Sequence, residues 1–318
     1  MNIQKVGMIG CGFVGATCAF SLVQSGLFSE MVLIDANREK AIGEAMDLSH
    51  GTSYLAPMKI YAGDYSDLKD AGLIIITAGA NQKPDETRLD LVKRNVAIFK
   101  DIIPKIKAQN CEGILLIVSN PVDILTYVAY KLSGFPASRV IGSGTVLDTA
   151  RFKYLLGERL NVDSRNIHAY IIGEHGDSEL AVWSQAMVAG IHINHFSELR
   201  GSFNHHQEVM QEIYEDVRDS AYEIIKRKGA TYYGIAVAVK RIAEAIVRNQ
   251  HTILPVSTLM TGQFGISDLC LSIPSVLCQN GVEMVVDLYL NDDETKKLQA
   301  SAKALSEVIA DLDLDPAA

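Results

Sequence analysis

The stretch from Lys5 to Asp35 sets the strongest limit on what this chain can fold into. An apolar run, Val6 to Ile9, passes at once into Gly10-Cys11-Gly12-Phe13-Val14-Gly15. Helix-compatible residues follow, then a second apolar run, Met31 to Ile34, closed by Asp35. The order is strand, tight glycine turn, helix, strand, acid. Gly10 permits the sharp turn off the strand, Gly12 lets backbone N–H groups approach a pyrophosphate, and Gly15 lets the helix pack close to the sheet. The positive end of the helix, opening at Phe13 and Val14, then faces the phosphates. Asp35 follows at the distance where a carboxylate accepts ribose hydroxyls and repels a 2′-phosphate. A lone glycine fingerprint is weak. In this strand–helix–strand context it points to a dinucleotide, and Asp35 favours NAD over NADP.

Alternation continues beyond Asp35. Arg38 to His50 is expected to be helical, Met58 to Tyr61 a short strand, and Leu73 to Thr77 a strand buried on both faces of a parallel sheet. The polar segment 78–88 breaks the pattern. A helix is expected over Leu89 to Gln109, a strand over Ile114 to Val118, a helix over Val122 to Ser133 and a strand at Val140-Ile141. These elements predict a Rossmann-type, doubly wound parallel sheet in residues 1–143. Ligands of such sheets sit at the carboxyl ends of the strands, so the loops after Ile9, Thr77 and Val118 converge on one crevice. Thr77 and Gly79 therefore join the cofactor side, and Asn120 stands beside them.

The second half, residues 144–318, loses the simple alternation. Helix is expected over Asp148 to Leu160, a strand over Ile167 to Ile172, helix from about Gln207 to Arg248 broken near Lys228-Gly229-Ala230-Thr231, strands over Thr252 to Cys278, and a charged helix over Asp293 to Ile309. A mixed α+β catalytic domain is the expectation. His175, set between Gly173-Glu174 and Gly176 at the end of an apolar strand, is presented to a ligand as readily as it is a structural histidine.

The net charge of −9 argues against nucleic acid or an anionic membrane as partner. Cations that bind an anionic substrate must then be local. The five cysteines include no CxxC pair, which argues for a reduced, cytoplasmic setting and against a disulfide framework or a zinc site. The first strand begins within a few residues of Met1, so no signal peptide is expected, and no apolar run reaches the length of a membrane span. His192, His195 and the adjacent His205-His206 show no accompanying Cys or carboxylate pattern, and no metal site is expected there. Cys11 fits a small packing residue.

Gly10 to Gly15 with Asp35, Asn81-Gln82-Lys83-Pro84 through Arg88, Ser119-Asn120-Pro121, Val146-Leu147-Asp148-Thr149-Ala150-Arg151 and Gly173-Glu174-His175-Gly176 occur in that order. Together they closely resemble the L-lactate/malate dehydrogenase family, and within it the bacterial L-lactate branch. The resemblance spans essentially the whole chain. It implies that His175 is a proton donor to a 2-keto acid and that Asp148 is its partner, fixing the ring and favouring its charged form. Asp148 also fits an ordinary acid at a helix start. The resemblance gives Arg151 the substrate carboxylate, a task suited to its planar fork, although a helical Arg is more often a surface residue. It gives Arg88 the polarisation of the carbonyl on loop closure, and Asn120 a contact with cofactor and substrate. Ile235 would pack against the nicotinamide, or serve as an ordinary core residue.

Specificity is expected to turn on Gln82. Malate enzymes of the family carry an Arg at that loop position to pair a second carboxylate, and an uncharged Gln leaves that anion uncompensated. Pyruvate and L-lactate are thereby favoured over a dicarboxylate. Thr231 resembles the residue bounding the same end of the pocket. Asp85 departs from the glycine usual in related loops, adding charge and stiffness where the loop must close. Some bacterial relatives bind fructose 1,6-bisphosphate between subunits through an Arg and a His. The matching residues here are Lys153 and His168, and Lys lacks the bidentate fork. The resemblance also implies a homo-oligomer, a tetramer, since no N-terminal arm is present to wrap a neighbour.

Overall fold

Strand β1 (Asn2–Ile9) is buried from Lys5 onward. The computed structural model describes residues 1–80, 88–200, 206–312 and 314, with the side chains of Arg88, Arg200, His206 and Gln207 outside the described set. Helix α1 (Phe13–Ser25) returns the chain to β2 (Glu30–Ile34), and α2 (Arg38–Gly51) leads to β3 (Lys59–Ala62). Strand β4 (Ala71–Ile76), helix α3 (Arg88–Lys107), β5 (Ile114–Ile117), α4 (Val122–Ser133) and β6 (Val140–Gly142) complete the first half. All contacts among these six strands are parallel, with β4 pairing to β1 and reversing the direction of winding. Every residue of β4 and β5 is buried, as a sheet covered by helices on both faces requires.

The sheet does not stop at β6. Helix α5 (Val146–Leu160) leads into short strands β7 (Ile167–His168), β8 (Ile171–Ile172), β9 (Leu180–Ala181), β10 (Met187–Val188) and β11 (Ile191–His192). Helices α6 (Ile193–Arg200), α7 (His206–Lys228) and α8 (Tyr233–Val247) follow. The chain then returns as β12 (Thr252–Thr261), β13 (Ser267–Cys278) and β14 (Gly281–Val285), and ends with α9 (Asp292–Ala310). β12 pairs antiparallel to β6 through Ser257 and Gly142, so one sheet of nine strands runs β14-β13-β12-β6-β5-β4-β1-β2-β3. A parallel half and an antiparallel half thus share one sheet.

The expected strand over Ile167 to Ile172 is two strands in different sheets: β7 pairs with β10, and β8 with β9. Three core clusters result. Two cover the faces of the large sheet, and the third, around Phe152, Leu156, Ile167 and Val217, holds α5 and α7 together.

Candidate active site

The glycine turn after β1 packs as the sequence requires. Gly10 takes φ +99°, and a Cβ there would lie 2.6 Å from the Ala78 nitrogen. A Cβ on Gly15 would meet the Gly10 carbonyl oxygen at 1.9 Å, so only hydrogen fits between helix and turn. Gly12 differs, because a Cβ there would touch nothing within 4 Å. The space beside Gly12 at the start of α1 is therefore open, as a cradle for a phosphate group must be. Half-buried Asp35 faces this turn: one carboxylate oxygen accepts the Cys11 N–H at 2.6 Å and the other the Asn37 N–H at 2.8 Å. These bonds hold the carboxylate at the end of β2 with lone pairs left for ribose hydroxyls. The donor set fits a dinucleotide. Thr77 donates its hydroxyl to the Gly10 carbonyl at 2.8 Å, tying the end of β4 to the same turn.

Behind this crevice a buried Asn95 on α3 connects two loops. Its side-chain oxygen accepts the Ala80 N–H at 2.8 Å, and its amide donates to the Asn120 carbonyl at 2.8 Å. Asn95 thereby fixes the ends of β4 and β5 relative to each other. Sequence reading missed it, because a single Asn in an amphipathic helix carries no motif.

His175 is delivered by the antiparallel half. β8 is followed by Gly173, whose φ of +94° only glycine tolerates easily and whose N–H and carbonyl both pair with Ser272 of β13. The His175 N–H then donates to Asp123 Oδ2 at 2.7 Å, while the Ser272 hydroxyl donates to Asp123 Oδ1 at 3.0 Å. Asp123 is buried in the first turn of α4, so it clamps the His175 backbone to the parallel half. Burial pushes the Asp123 carboxyl up to about 6, against the hydrogen bonds that favour its ionised form. An acid in a first helical turn looks like an ordinary dipole partner, which is why sequence reading passed it over.

The His175 ring meets Asp148 of α5, with Nδ1 2.6 Å from Asp148 Oδ2. Arg151, one turn further along α5, donates from its guanidinium to Asp148 Oδ1 at 2.6 Å. Asp148 is 2% exposed and bound on both oxygens. Its own burial opposes ionisation, but His175 and Arg151 prevail and hold it below the usual carboxylate range. Burial would likewise disfavour the His175 imidazolium, and the Asp148 carboxylate reverses this, raising the ring to about 9. With Nδ1 committed to Asp148, Nε2 is left to face a ligand.

These groups line a cavity of about 430 Å³ with Asn120, Pro121, Glu179 of the loop before β9, and Arg218, Ala221 and Ile225 of α7. The cavity thus joins the end of β5, the start of α5 and the middle of α7. Asn120, Asp148, Arg151 and His175 come together here as expected. Gln82 and Asp85 fall outside the described residues, and Arg88 is described only as the first residue of α3. Thr231 lies just before α8 and does not line this cavity. Ile235 and Val14 pack at the edge of the core shared by α1 and α8, and a Cβ added to Gly79 would come into ordinary contact with Asn95.

Donor atoms of Asp148, His175 and Glu179 lie within 4.8 Å of one another, a spacing that would suit a metal ion. The Arg151 guanidinium on Asp148 already supplies the positive charge there, so the arrangement favours proton chemistry. His192 accepts the Asn194 N–H, and the exposed His195 lies 3.4 Å from Glu198 on its own helix. His205 and the side chain of His206 are outside the described residues. Lys153 and His168 share a separate cavity of about 450 Å³ with Arg165 and Arg241.

Comparison with known proteins agrees with this architecture. Residues 4–142 match the NAD binding domain of lactate/malate dehydrogenase, and residues 145–313 match the alpha/beta C-terminal domain of the same family. The L-lactate dehydrogenase of Acetivibrio thermocellus is 56% identical over 312 residues, covering 98% of both chains. That of Geobacillus stearothermophilus is 50% identical over 307 residues, covering 96% of both chains. Among solved structures, the minor L-lactate dehydrogenase from Enterococcus mundtii in its ligands-bound form superposes with a TM-score of 0.94 at 42% identity, over 98% of this chain and 99% of that one. A lactate dehydrogenase from a Medee basin deep-sea metagenome library reaches a TM-score of 0.95 at 48% identity, with the same coverage. From its glycine turn to its paired His175 and Asp148, this chain belongs to the lactate/malate dehydrogenase family.

Proposed function

We propose that the protein is an NAD-dependent L-lactate dehydrogenase, converting pyruvate, NADH and a proton to L-lactate and NAD, and the reverse. The observation that carries the reading is the Asp148–His175 pair, 2.6 Å apart, with Arg151 on the other carboxylate oxygen. The bound nicotinamide supplies or accepts the hydride. The chain does the rest. The turn at Gly10, Gly12, Phe13, Val14 and Gly15, with Asp35, Thr77, Gly79 and Ile235, binds the dinucleotide. Arg151 captures the substrate carboxylate with its guanidinium fork. His175 Nε2 donates its proton to the keto oxygen, and Asp148 holds the ring for that transfer and favours the charged form. Asn120 contacts substrate and cofactor at the crevice, and Arg88 supports the developing negative charge on the oxygen. Gln82 bounds the methyl end. Residues 1–143 form the cofactor domain and 144–318 the substrate domain.

Among the described residues no helix is long and apolar enough to cross a membrane. All five cysteines are free and buried, consistent with a reducing compartment, and we place the protein in the cytoplasm. We also propose a homo-oligomer, a tetramer. Phe13 at 72%, Tyr233 at 66% and Val237 at 63% exposure on the adjoining helices α1 and α8 supply apolar surface for a second copy. Light scattering after size-exclusion chromatography tests that assembly, and a monomeric mass would contradict it. The cationic cavity at Lys153 and His168 is a candidate anion-effector site. Pyruvate turnover with and without fructose 1,6-bisphosphate tests it, and an unchanged rate would rule it out. The function itself is tested by NADH oxidation with pyruvate against oxaloacetate, and a preference for oxaloacetate would contradict it.

A further inference from the structure

Glu179 lines the catalytic cavity but takes no part in the proton transfer or in carboxylate capture. It is 4% exposed, and its Oε1 is buried with no hydrogen-bond partner among the described residues. It lies with Asp148 and His175 in a cluster whose polar atoms are within 4.8 Å of one another. A buried carboxylate with an unsatisfied oxygen beside another carboxylate is costly, so its presence demands an explanation.

The surrounding charges supply one. Helix α5 brings Asp148 and Arg151, the end of β8 brings His175 with Asp177 nearby, and α7 brings Arg218. Arg218 is already paired with Asp219 at 2.8 Å, and the Tyr214 hydroxyl donates to the Glu179 backbone carbonyl rather than to its side chain. On its other side Glu179 borders a second cavity of about 680 Å³, where α9 presents Glu294 and Lys297. With His175 protonated, Asp148 ionised and Arg151 charged, the inner cluster holds one positive charge in excess. A monocarboxylate substrate neutralises it. If Glu179 ionises, the excess disappears before substrate arrives, and a bound anion then leaves an uncompensated negative charge in a buried cavity.

We propose that Glu179 is a specificity-determining residue of the substrate cavity, which accepts a monocarboxylate anion only while Glu179 carries a proton. The inference rests on the pyruvate/L-lactate reading of the site. Burial and the neighbouring Asp148 carboxylate raise the Glu179 carboxyl to about 8, against the opposing pull of His175, Arg151 and Arg218, so the neutral form is available at neutral pH.

The test is the dissociation constant of oxamate, an unreactive pyruvate isostere, from the enzyme–NADH complex between about pH 6 and pH 10. Binding requires protons on both His175 and Glu179, so above both titrations each pH unit weakens oxamate about 100-fold in the wild type and in Glu179→Asp. In Glu179→Gln, or Glu179→Ser should the amide fail to fold, each unit weakens it only about 10-fold, because His175 alone titrates. A shift of the His175 titration in the variant moves the curve but not its slope. A one-proton slope in wild type, or equal slopes in wild type and the non-titrating variant, contradicts the role of Glu179 while pyruvate turnover leaves the function standing. No oxamate binding at any pH together with no pyruvate turnover contradicts the function and this proposal with it.

Discussion

Asp148 divides its two carboxylate oxygens between His175 and Arg151, at 2.6 Å each. One buried acid therefore orients both the proposed proton donor and the proposed carboxylate receptor. His175 and Arg151 both line the cavity, where a 2-keto acid would present its keto oxygen to one and its carboxylate to the other. Because both depend on Asp148, their contributions will not be additive.

Replacing Asp148 with Asn keeps the shape but removes the charge. The imidazolium loses its partner, and the preferred tautomer is no longer enforced. The turnover number with pyruvate is expected to fall by about 10²-fold or more while NADH affinity is retained. Steady-state kinetics with parallel NADH titration checks this, and an unchanged rate at neutral pH would remove Asp148 from the mechanism.

Arg151→Lys preserves charge and loses the fork. The pyruvate KM is expected to rise by about 10-fold to 100-fold, with a smaller change in the turnover number, because the interaction is made with bound substrate and transition state alike. The same substitution loosens Asp148, so the pH dependence of activity should move as well. A KM unchanged from wild type would mean that another cation receives the carboxylate.

The pH dependence carries opposite signs in the two directions. His175 is raised to about 9, so pyruvate reduction, which needs the protonated ring, is expected to fade as pH rises through about 9. Lactate oxidation needs the neutral ring and is expected to gain over the same interval. For stability, the folded pKa lies above the ordinary histidine value of 6.5, so the His175–Asp148 pair contributes fully below that value and loses its contribution as pH rises through about 9. Measured in Glu179→Gln, where His175 titrates alone, opposed alkaline limbs of kcat/KM for pyruvate and for L-lactate check the assignment. Parallel limbs would contradict it.

Gly15→Ala tests the helix–turn contact. The added methyl would meet the Gly10 carbonyl oxygen at 1.9 Å and the Thr77 hydroxyl at 2.6 Å, both held by the sheet. A loss of about 1–3 kcal/mol in unfolding free energy is expected, together with weaker NADH binding. Gly12→Ala, whose Cβ meets nothing within 4 Å, should leave stability nearly unchanged and weaken NADH alone. Chemical denaturation and NADH fluorescence separate the two effects.

How much of this was legible in the sequence depends on whether the signal is local. The glycine turn, Asp35 and the helix over Val122–Ser133 follow from spacing and apolar periodicity, and the structure has that helix at the same bounds. The joining of β12 to β6 was not legible, because one antiparallel contact between residues far apart in sequence leaves no local trace. Ile167 to Ile172 looked continuous because its apolar residues are. Val182 N–H bonds the Tyr170 carbonyl while β7 pairs elsewhere, so tertiary pairing splits the run. His175, Asp148 and Arg151 were legible through the family resemblance. Asp123, Asn95 and Glu179 were not, since each acts through burial and a partner distant in sequence, and an isolated Asp, Asn or Glu announces neither. Among the described residues, Thr231 is an expected pocket residue that does not line the cavity.

Substrate choice is expected to turn on Gln82. Gln82→Arg would supply the counter-ion that a dicarboxylate lacks and should shift the ratio of kcat/KM for oxaloacetate over pyruvate upward by about 10²-fold or more. An unchanged ratio would mean that this loop position does not meet the substrate.

Steady-state NADH oxidation by the wild-type protein with pyruvate and, separately, oxaloacetate decides the substrate. Turnover is expected with NADH and pyruvate together, with a kcat/KM for pyruvate well above that for oxaloacetate, and with loss of that turnover in His175→Ala while NADH binding stays intact. A preference for oxaloacetate, or NADH binding without reduction of pyruvate, would contradict that expectation.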